Sequence, residues 1–324
     1  YFIFTITLGC LAQFSDNFSD GNFTQNPTWF GEEVKFIVSP EQQLRLFITP
    51  QVAGNAYLST SSESIENATW EFFVRLDFNP SSTNFARVYL VSNASDLTGA
   101  LNGYFVLIGD TQDKISLFRQ TGLTRTEIIQ GASGSVDLNN VLVKIKVTRD
   151  ALGNWTLQRD VGLTGSFVQE GTAFDNSHIQ SSFFGVFCQF TQTRSQHFYY
   201  DDFVVTGDPF VDTEAPVFQS LNFVGNNQLI LTFNELLAAS SANVNHFSLD
   251  NGIGNPTSAS INALNPTQII LNFNEEFEDN TNYVLSVSNV SDPSGNITPS
   301  FNESFFYYEY SIPVFGEIRI NEVM

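Results

Sequence analysis

The chain has 324 residues, 13 Lys and Arg against 34 Asp and Glu, a formal net charge of -21, and 42% hydrophobic residues with 21 Gly. That composition excludes wholesale disorder and a fibrous repeat. The shortage of basic residues argues against nucleic acid or an anionic membrane surface as partner, since both are held by Lys and Arg. Charged residues reach only 15%, against roughly 25% in ordinary soluble domains, and Asn, Ser, Thr and 33 Phe fill the difference.

The opening run, Tyr1 to Gln13, is apolar over about a dozen residues. It is too short to span a bilayer and has the length of a secretory signal core. Cys10 and Ala12 form a small-x-small cleavage site, so residues 1–13 are expected to be a partial signal peptide, with a buried first strand as the alternative. Removal of that segment leaves Cys188 alone in the apolar run 183–190, where it reads as a buried structural thiol. A secreted or bacterial cell-surface protein is expected.

From residue 14 onward, short apolar–polar alternations recur between clusters of Gly, Asn, Asp and Ser, which is the all-β pattern. In 69–78, Trp70, Phe72, Val74, Leu76 and Phe78 share one face, and Glu71, Phe73, Arg75 and Asp77 the other. In 141–147, Val141, Val143, Ile145 and Val147 alternate with Lys144 and Lys146. Further strands are expected at 87–91, 104–108, 114–119, 155–159, 183–190 and 198–205. Ten or more strands in this stretch predict two large sheets packed face to face.

The strand series resembles the concanavalin A-like, laminin-G-like jelly roll. It runs from Phe14-Ser-Asp-Asn-Phe-Ser-Asp-Gly-Asn-Phe23 through Trp29, 70–78, 87–90, Gly103-Tyr-Phe-Val-Leu-Ile-Gly109 and 147–155 to Phe198-Tyr-Tyr-Asp-Asp-Phe-Val-Val-Thr-Gly207. The resemblance implies a domain at 14–208 whose first and last strands lie side by side. Asp16 and Asp20 would then approach Asp201 and Asp202, a set of hard oxygen ligands suited to calcium, the one cofactor expected.

Charge changes abruptly beyond the Pro-containing stretch 207–216: residues 213–310 hold ten acids and no Lys or Arg. The runs 228–235, 245–249, 267–273 and 282–287, followed by Val290-Ser-Asp-Pro-Ser-Gly-Asn296, resemble the bacterial Ig-like domain of surface-layer and adhesin proteins. Leu229, Leu231 and Phe233 alternate, as do Tyr283, Leu285 and Val287, and Asp292-Pro-Ser-Gly-Asn296 has the residues of a tight turn. The fold expected is thus a jelly-roll sandwich followed by a smaller Ig-like β-sandwich at 213–310. The end, 316–324, resembles the opening strand of a lamin-tail domain, so 311–324 reads as a linker and the start of a further domain beyond Met324.

Catalytic motifs are scarce. His178, His197 and His246 stand far apart, and no H-x-x-x-H, C-x-x-C, Gly-rich phosphate loop or G-x-S-x-G elbow occurs. Glycoside hydrolysis needs two carboxylates facing each other across a groove. Glu71 and Asp77 would lie about 20 Å apart along a strand rising roughly 3.3 Å per residue. The acidic group 275–279 reads as a solvated loop. A non-enzymatic binding or adhesion module is expected, with a glycan or other extracellular polymer as partner and no insertion in a membrane. Phe73, Arg75, Arg87, Tyr89, Lys144 and Lys146 should face away from the core as a ligand-binding face, with Trp29 and Trp155 as possible aromatic platforms, although Trp155, like Trp70, shares parity with aliphatic neighbours and so reads equally as core. The other readings are a purely structural spacer and accessory modules of a secreted hydrolase.

Overall fold

The computed structural model describes residues 12–309, and the expectations for 1–11 and 310–324, including Cys10 and the lamin-tail-like strand, lie outside the described residues. The chain divides into two compact units, one ending at Phe210 and one beginning at Val211. Among the described residues every element is a strand or a three-residue 3-10 turn.

The first unit opens with β1 (Ala12–Asp16), β2 (Phe30–Gly31), β3 (Phe36–Val38), β4 (Leu44–Leu46) and β5 (Gly54–Ser61). It continues with β6 (Glu66–Leu76), β7 (Phe85–Ser92), β8 (Leu101–Gly109), β9 (Lys114–Gly122) and β10 (Thr124–Ile129). Then come β11 (Val141–Arg149), β12 (Asn154–Val161), β13 (Val168–Phe174), β14 (Phe183–Phe190) and β15 (Phe198–Asp208). They form two antiparallel sheets. The eight-stranded sheet has the order β13-β12-β11-β6-β15-β4-β3, with β1 also on β15; the seven-stranded sheet has the order β10-β9-β8-β7-β14-β5-β2. The chain crosses repeatedly between the sheets, which makes the unit a jelly-roll sandwich. As the resemblance implied, the first and last strands pair, with Asp16 opposite Phe203.

Strict alternation builds the core. Trp70, Phe72, Val74 and Leu76 of β6 and Val141, Val143, Ile145 and Val147 of β11 are all buried between the sheets. Trp70 stacks on Trp155 with ring centroids 5.5 Å apart and planes at 12°. Cys188 is buried, bonded to the Tyr200 hydroxyl at 3.1 Å, and burial pushes its thiol up to about 12. It is an inert core group, as expected of its apolar strand.

A second apolar layer covers the outer face of the seven-stranded sheet. Tyr89, Leu97, Leu101, Phe105, Leu107 and Phe187 are buried there, with Tyr57, Phe85 and Phe118 partly covered at its margin.

The second unit has seven strands: β16 (Phe218–Val224), β17 (Gln228–Phe233), β18 (Phe247–Leu249), β19 (Ser258–Ile261), β20 (Gln268–Asn272), β21 (Thr281–Val287) and β22 (Phe301–Tyr307). Their orders are β16-β17-β20-β19 and β18-β21-β22. Lettered A to G in chain order, these are sheets ABED and CFG, the arrangement of an Ig constant-type sandwich. Leu229, Leu231, Phe233, Tyr283, Leu285 and Val287 point into its core. The 292–296 turn is structural: Asp292 accepts from the Asn296 backbone N–H at 2.9 Å and from its side-chain amide at 2.8 Å.

Candidate functional site

A cleft lined largely by polar residues lies on the outer face of the eight-stranded sheet and has a volume of about 560 Å³. Its floor is Glu71 of β6, Lys144 of β11 and Asp202 and Val204 of β15; its wall is the loop carrying Asn17, Ser19, Asp20 and Asn26.

Local sequence explains both parts. In β15, Phe198 and Tyr200 point inward, but so do Phe203 and Val205, two residues of the opposite parity. A β-bulge between Asp201 and Val204 absorbs the extra residue. Asp202 takes a left-handed conformation there (φ 50°), and Asp201 and Asp202 are both turned away from the core. The wall is a chain of Asx turns. Asn17 accepts from the Ser19 N–H at 3.2 Å, Asp20 from the Asn22 N–H at 3.1 Å and Asn22 from the Thr24 N–H at 3.0 Å. Phe18 pins this loop to the core, its ring 6.2 Å from Trp29 and 6.0 Å from Phe203.

Lys144 is the electrostatic centre. Its ammonium lies 3.0 Å from an Asp202 carboxylate oxygen. Its pKa is raised, first by that bond and then by the charges of Asp202, Glu71 and Asp201. Glu71 is itself paired with Lys146 at 3.7 Å. Asp16 forms the inner wall, accepting from the Phe18 N–H at 2.9 Å and the Trp29 indole N–H at 2.8 Å. Burial raises the Asp16 carboxyl, those two donors lower it, and the charge of Asp20 adds to the rise. Asp201 is likewise raised by burial above all, with smaller upward contributions from Asp202 and Asp16.

The structure therefore brings Asp16, Asp20, Asp202 and Lys144 to one cleft, with Asp201 and Lys146 beside it. The four aspartates do not converge as a calcium shell. Both oxygens of Asp16 already hold donors, Asp20 is engaged by Asn22 through both oxygens, and the Lys144 ammonium stands where a cation would meet Asp202. Among the described residues, Asp212, Glu235 and Asp292 of the second unit are the one group of three or more possible ligands with atoms within 4.8 Å of one another.

The other expected ligand contacts divide between two faces. Phe73 and Arg75 share the outer face with Lys144, but Phe73 is 7% exposed, and Arg75 is tied to Asp77 at 2.9 Å and stacked on Tyr199 at 3.8 Å. Arg87 and Tyr89 lie on β7, in the other sheet, so a single face holding all six residues does not exist. Tyr89 is fully buried. Trp155 is a core residue, as the parity of its neighbours allowed, and Trp29 is buried too, so neither is a platform. Sequence reading missed Asn17, Ser19, Asn26 and Glu71 as cleft residues. The parity break of Phe198 and Tyr200 against Phe203 and Val205 was the available signal for the bulge.

Residues 205–307 match the family model described as a bacterial Ig-like domain. No curated protein matches the chain. Among solved structures, a carbohydrate-binding module, CBM66 from Bacillus subtilis, is 11% identical with a TM-score of 0.41, over 55% of this chain and 95% of that one. The exoplasmic/lumenal domain of VIP36, in a Ca2+/Man3GlcNAc-bound form, is 12% identical with a TM-score of 0.42, over 61% and 90%. The N-terminal part of the bacterial S-layer protein SbsC is 17% identical with a TM-score of 0.27; the match spans 29% of this chain and 24% of that one. No helix among the described residues is long and apolar enough to cross a membrane, which says nothing of β-barrels.

Proposed function

We propose that the jelly-roll unit binds a saccharide in the cleft around Lys144 and that the Ig-like unit is a spacer in a bacterial surface protein. The observation that carries the reading is the Lys144–Asp202 pair, a donor and an acceptor 3.0 Å apart at the centre of a cleft walled by Asn17, Ser19 and Asn26. Such a pair can exchange hydrogen bonds with two adjacent sugar hydroxyls, and the surrounding amides and hydroxyl offer further donors and acceptors. Secretion, as the opening apolar run implies, belongs to the same reading.

Binding without catalysis fits this chemistry. A glycosidase needs one carboxyl kept protonated and a second, ionised one across the bond. Asp202 and Glu71 are each engaged by a lysine, so neither stands free to face a second carboxyl across a bond. Asp16, whose pKa is raised, is held by Phe18 and Trp29. In this reading Lys144, rather than calcium, supplies the positive charge of the cleft.

The test is a glycan array probed with the full chain in calcium, in chelator, and as Lys144→Ala and Asp202→Ala. The reading expects a discrete set of ligands, retained in chelator and weakened about tenfold or more in either variant. A blank array, or variants that bind like the parent, overturns it.

A further inference from the structure

The described residues contain twelve Lys and Arg, and seven of them form ion pairs. Of the rest, Arg45 donates to the Gln196 carbonyl, Arg149 to the carbonyls of Ile65 and Asp150 and to Asn176, and Arg194 lies over Phe78. Arg87 and Arg125 differ, because they converge on one place on the outer face of the seven-stranded sheet.

Arg87 is 9% exposed, and its Nε meets no acceptor. Its guanidinium lies among three aromatic rings, 5.0 Å from Phe85, 5.3 Å from Phe105 and 4.8 Å from Phe187. Arg125 is exposed and donates through Nε to the Gln120 side-chain oxygen at 3.3 Å. The same oxygen accepts the Tyr89 hydroxyl at 2.9 Å. Gln120 cannot turn away, since its amide nitrogen is bound to the carbonyls of Gly99 and Gly122. The Tyr89 oxygen faces both guanidiniums. Burial lowers the Arg87 pKa, Arg125 lowers it further by repulsion, and Asp110 acts on it through space without an ion pair.

Two like charges held together with no bonded carboxylate are costly in a folded protein, and an unsatisfied buried donor adds to the cost. In a chain with 34 acids, a counter-ion of its own was chemically available at this place and is not used. The rings account for part of the stabilisation of Arg87 by cation–π contact, but they offer no acceptor. Between the two arginines the margin of the apolar layer remains partly open at Phe118, which stacks on Phe105.

We propose that Arg87 and Arg125 bind the carboxylate of an acidic sugar, a uronate unit of a polysaccharide, whose ring packs on Phe118, the ring stacked on Phe105 beside Arg87. A carboxylate is the planar acceptor that matches the guanidinium fork, and its charge neutralises the pair. The aromatic faces suit the C–H surface of a sugar ring. The net charge of -21 does not forbid this, since charges beyond about 8 Å are largely screened at physiological ionic strength. The site is on the sheet opposite the Lys144 cleft and stands or falls independently of it.

Affinity electrophoresis of the full chain through gels containing polygalacturonate, dextran sulfate or neutral dextran tests the assignment. Retardation by polygalacturonate, weakened by salt, is expected, with none in dextran. Arg125→Gln, at an exposed position, should weaken binding about tenfold. Arg87→Lys keeps the charge but loses the fork and should weaken it too, with circular dichroism checking that the variant is folded. No retardation by polygalacturonate, equal retardation by dextran, or an Arg125→Gln variant that binds like the parent overturns the proposal. Binding to dextran sulfate alone overturns the carboxylate.

Discussion

The two units solve one architectural problem, a pair of sheets closed on one core, with opposite surface chemistry. The jelly-roll unit carries all twelve described Lys and Arg and every ion pair among the described residues. The described residues of the Ig-like unit have none, and its acids accept hydrogen bonds instead. Asp250 takes the Val284 N–H, Asp279 the Asn280 N–H, and Asp292 both donors of Asn296. Sandwich stability therefore does not require ion pairs. Where cations do appear, two places stand out: Lys144 lies among three carboxylates, and Arg87 and Arg125 converge on Tyr89 with no carboxylate between them. Those two places are where ligands are proposed, while the uniformly amide-rich unit suits a spacer.

Breaking the core of one unit should separate the two most clearly. Trp155→Ala removes the partner of Trp70 and should cost about 3–5 kcal/mol. Calorimetry should then show the jelly-roll transition lowered and the Ig-like transition in place; a joint shift of both would contradict independent cores. Salt should act in the other direction and more weakly. The Ig-like unit carries uncompensated negative charge, so raising sodium chloride should screen its repulsion and raise its transition temperature. The jelly-roll transition should move less, because screening also weakens its exposed pairs. Equal shifts would remove the contrast.

The smallest effect expected is a pH dependence of the jelly roll near neutrality. His178 and His197 are held below the ordinary imidazole value of 6.5, in each case chiefly by burial. The unfolded chain therefore takes up more protons as pH falls through that value, so stability falls with it. The raised carboxyls of Asp16 and Asp201 act oppositely, adding stability as pH falls through their folded values towards 3.8. His178 bonds Thr121 at 2.9 Å, and His178→Asn should flatten the slope between pH 7.5 and about 6. An unchanged slope would reassign it.

The fold was legible wherever alternation was strict. In β6 and β11 the inward residues are those that parity indicated, and the Asp292–Asn296 turn bonds as its composition implied. The site was less so, for a definite reason. A period of two separates inside from outside but does not say which sheet a strand joins. Arg87 and Arg75 were thus both outward-facing, yet on opposite faces of the sandwich. The aspartate set differs in another way: the strand pairing it needed is present, but Lys144, arriving from β11, pairs with Asp202, and no local motif announces a contact from a distant strand. Burial of Tyr89 depends on Leu97 and Leu101 folding over the outer face, which alternation within β7 cannot reveal.

The central claim, that the Lys144 cleft is the saccharide site, is tested most directly by the three indole N–H resonances of the 15N-labelled chain during a titration with a glycan found on the array. Trp29 donates to Asp16 in the cleft wall, Trp155 to the Asp175 carbonyl in the core, and the Trp70 nitrogen is buried without a partner. A saturable shift of the Trp29 resonance with Trp70 and Trp155 fixed is the predicted result. Saturable binding that leaves Trp29 unmoved would place the ligand elsewhere and contradict the account.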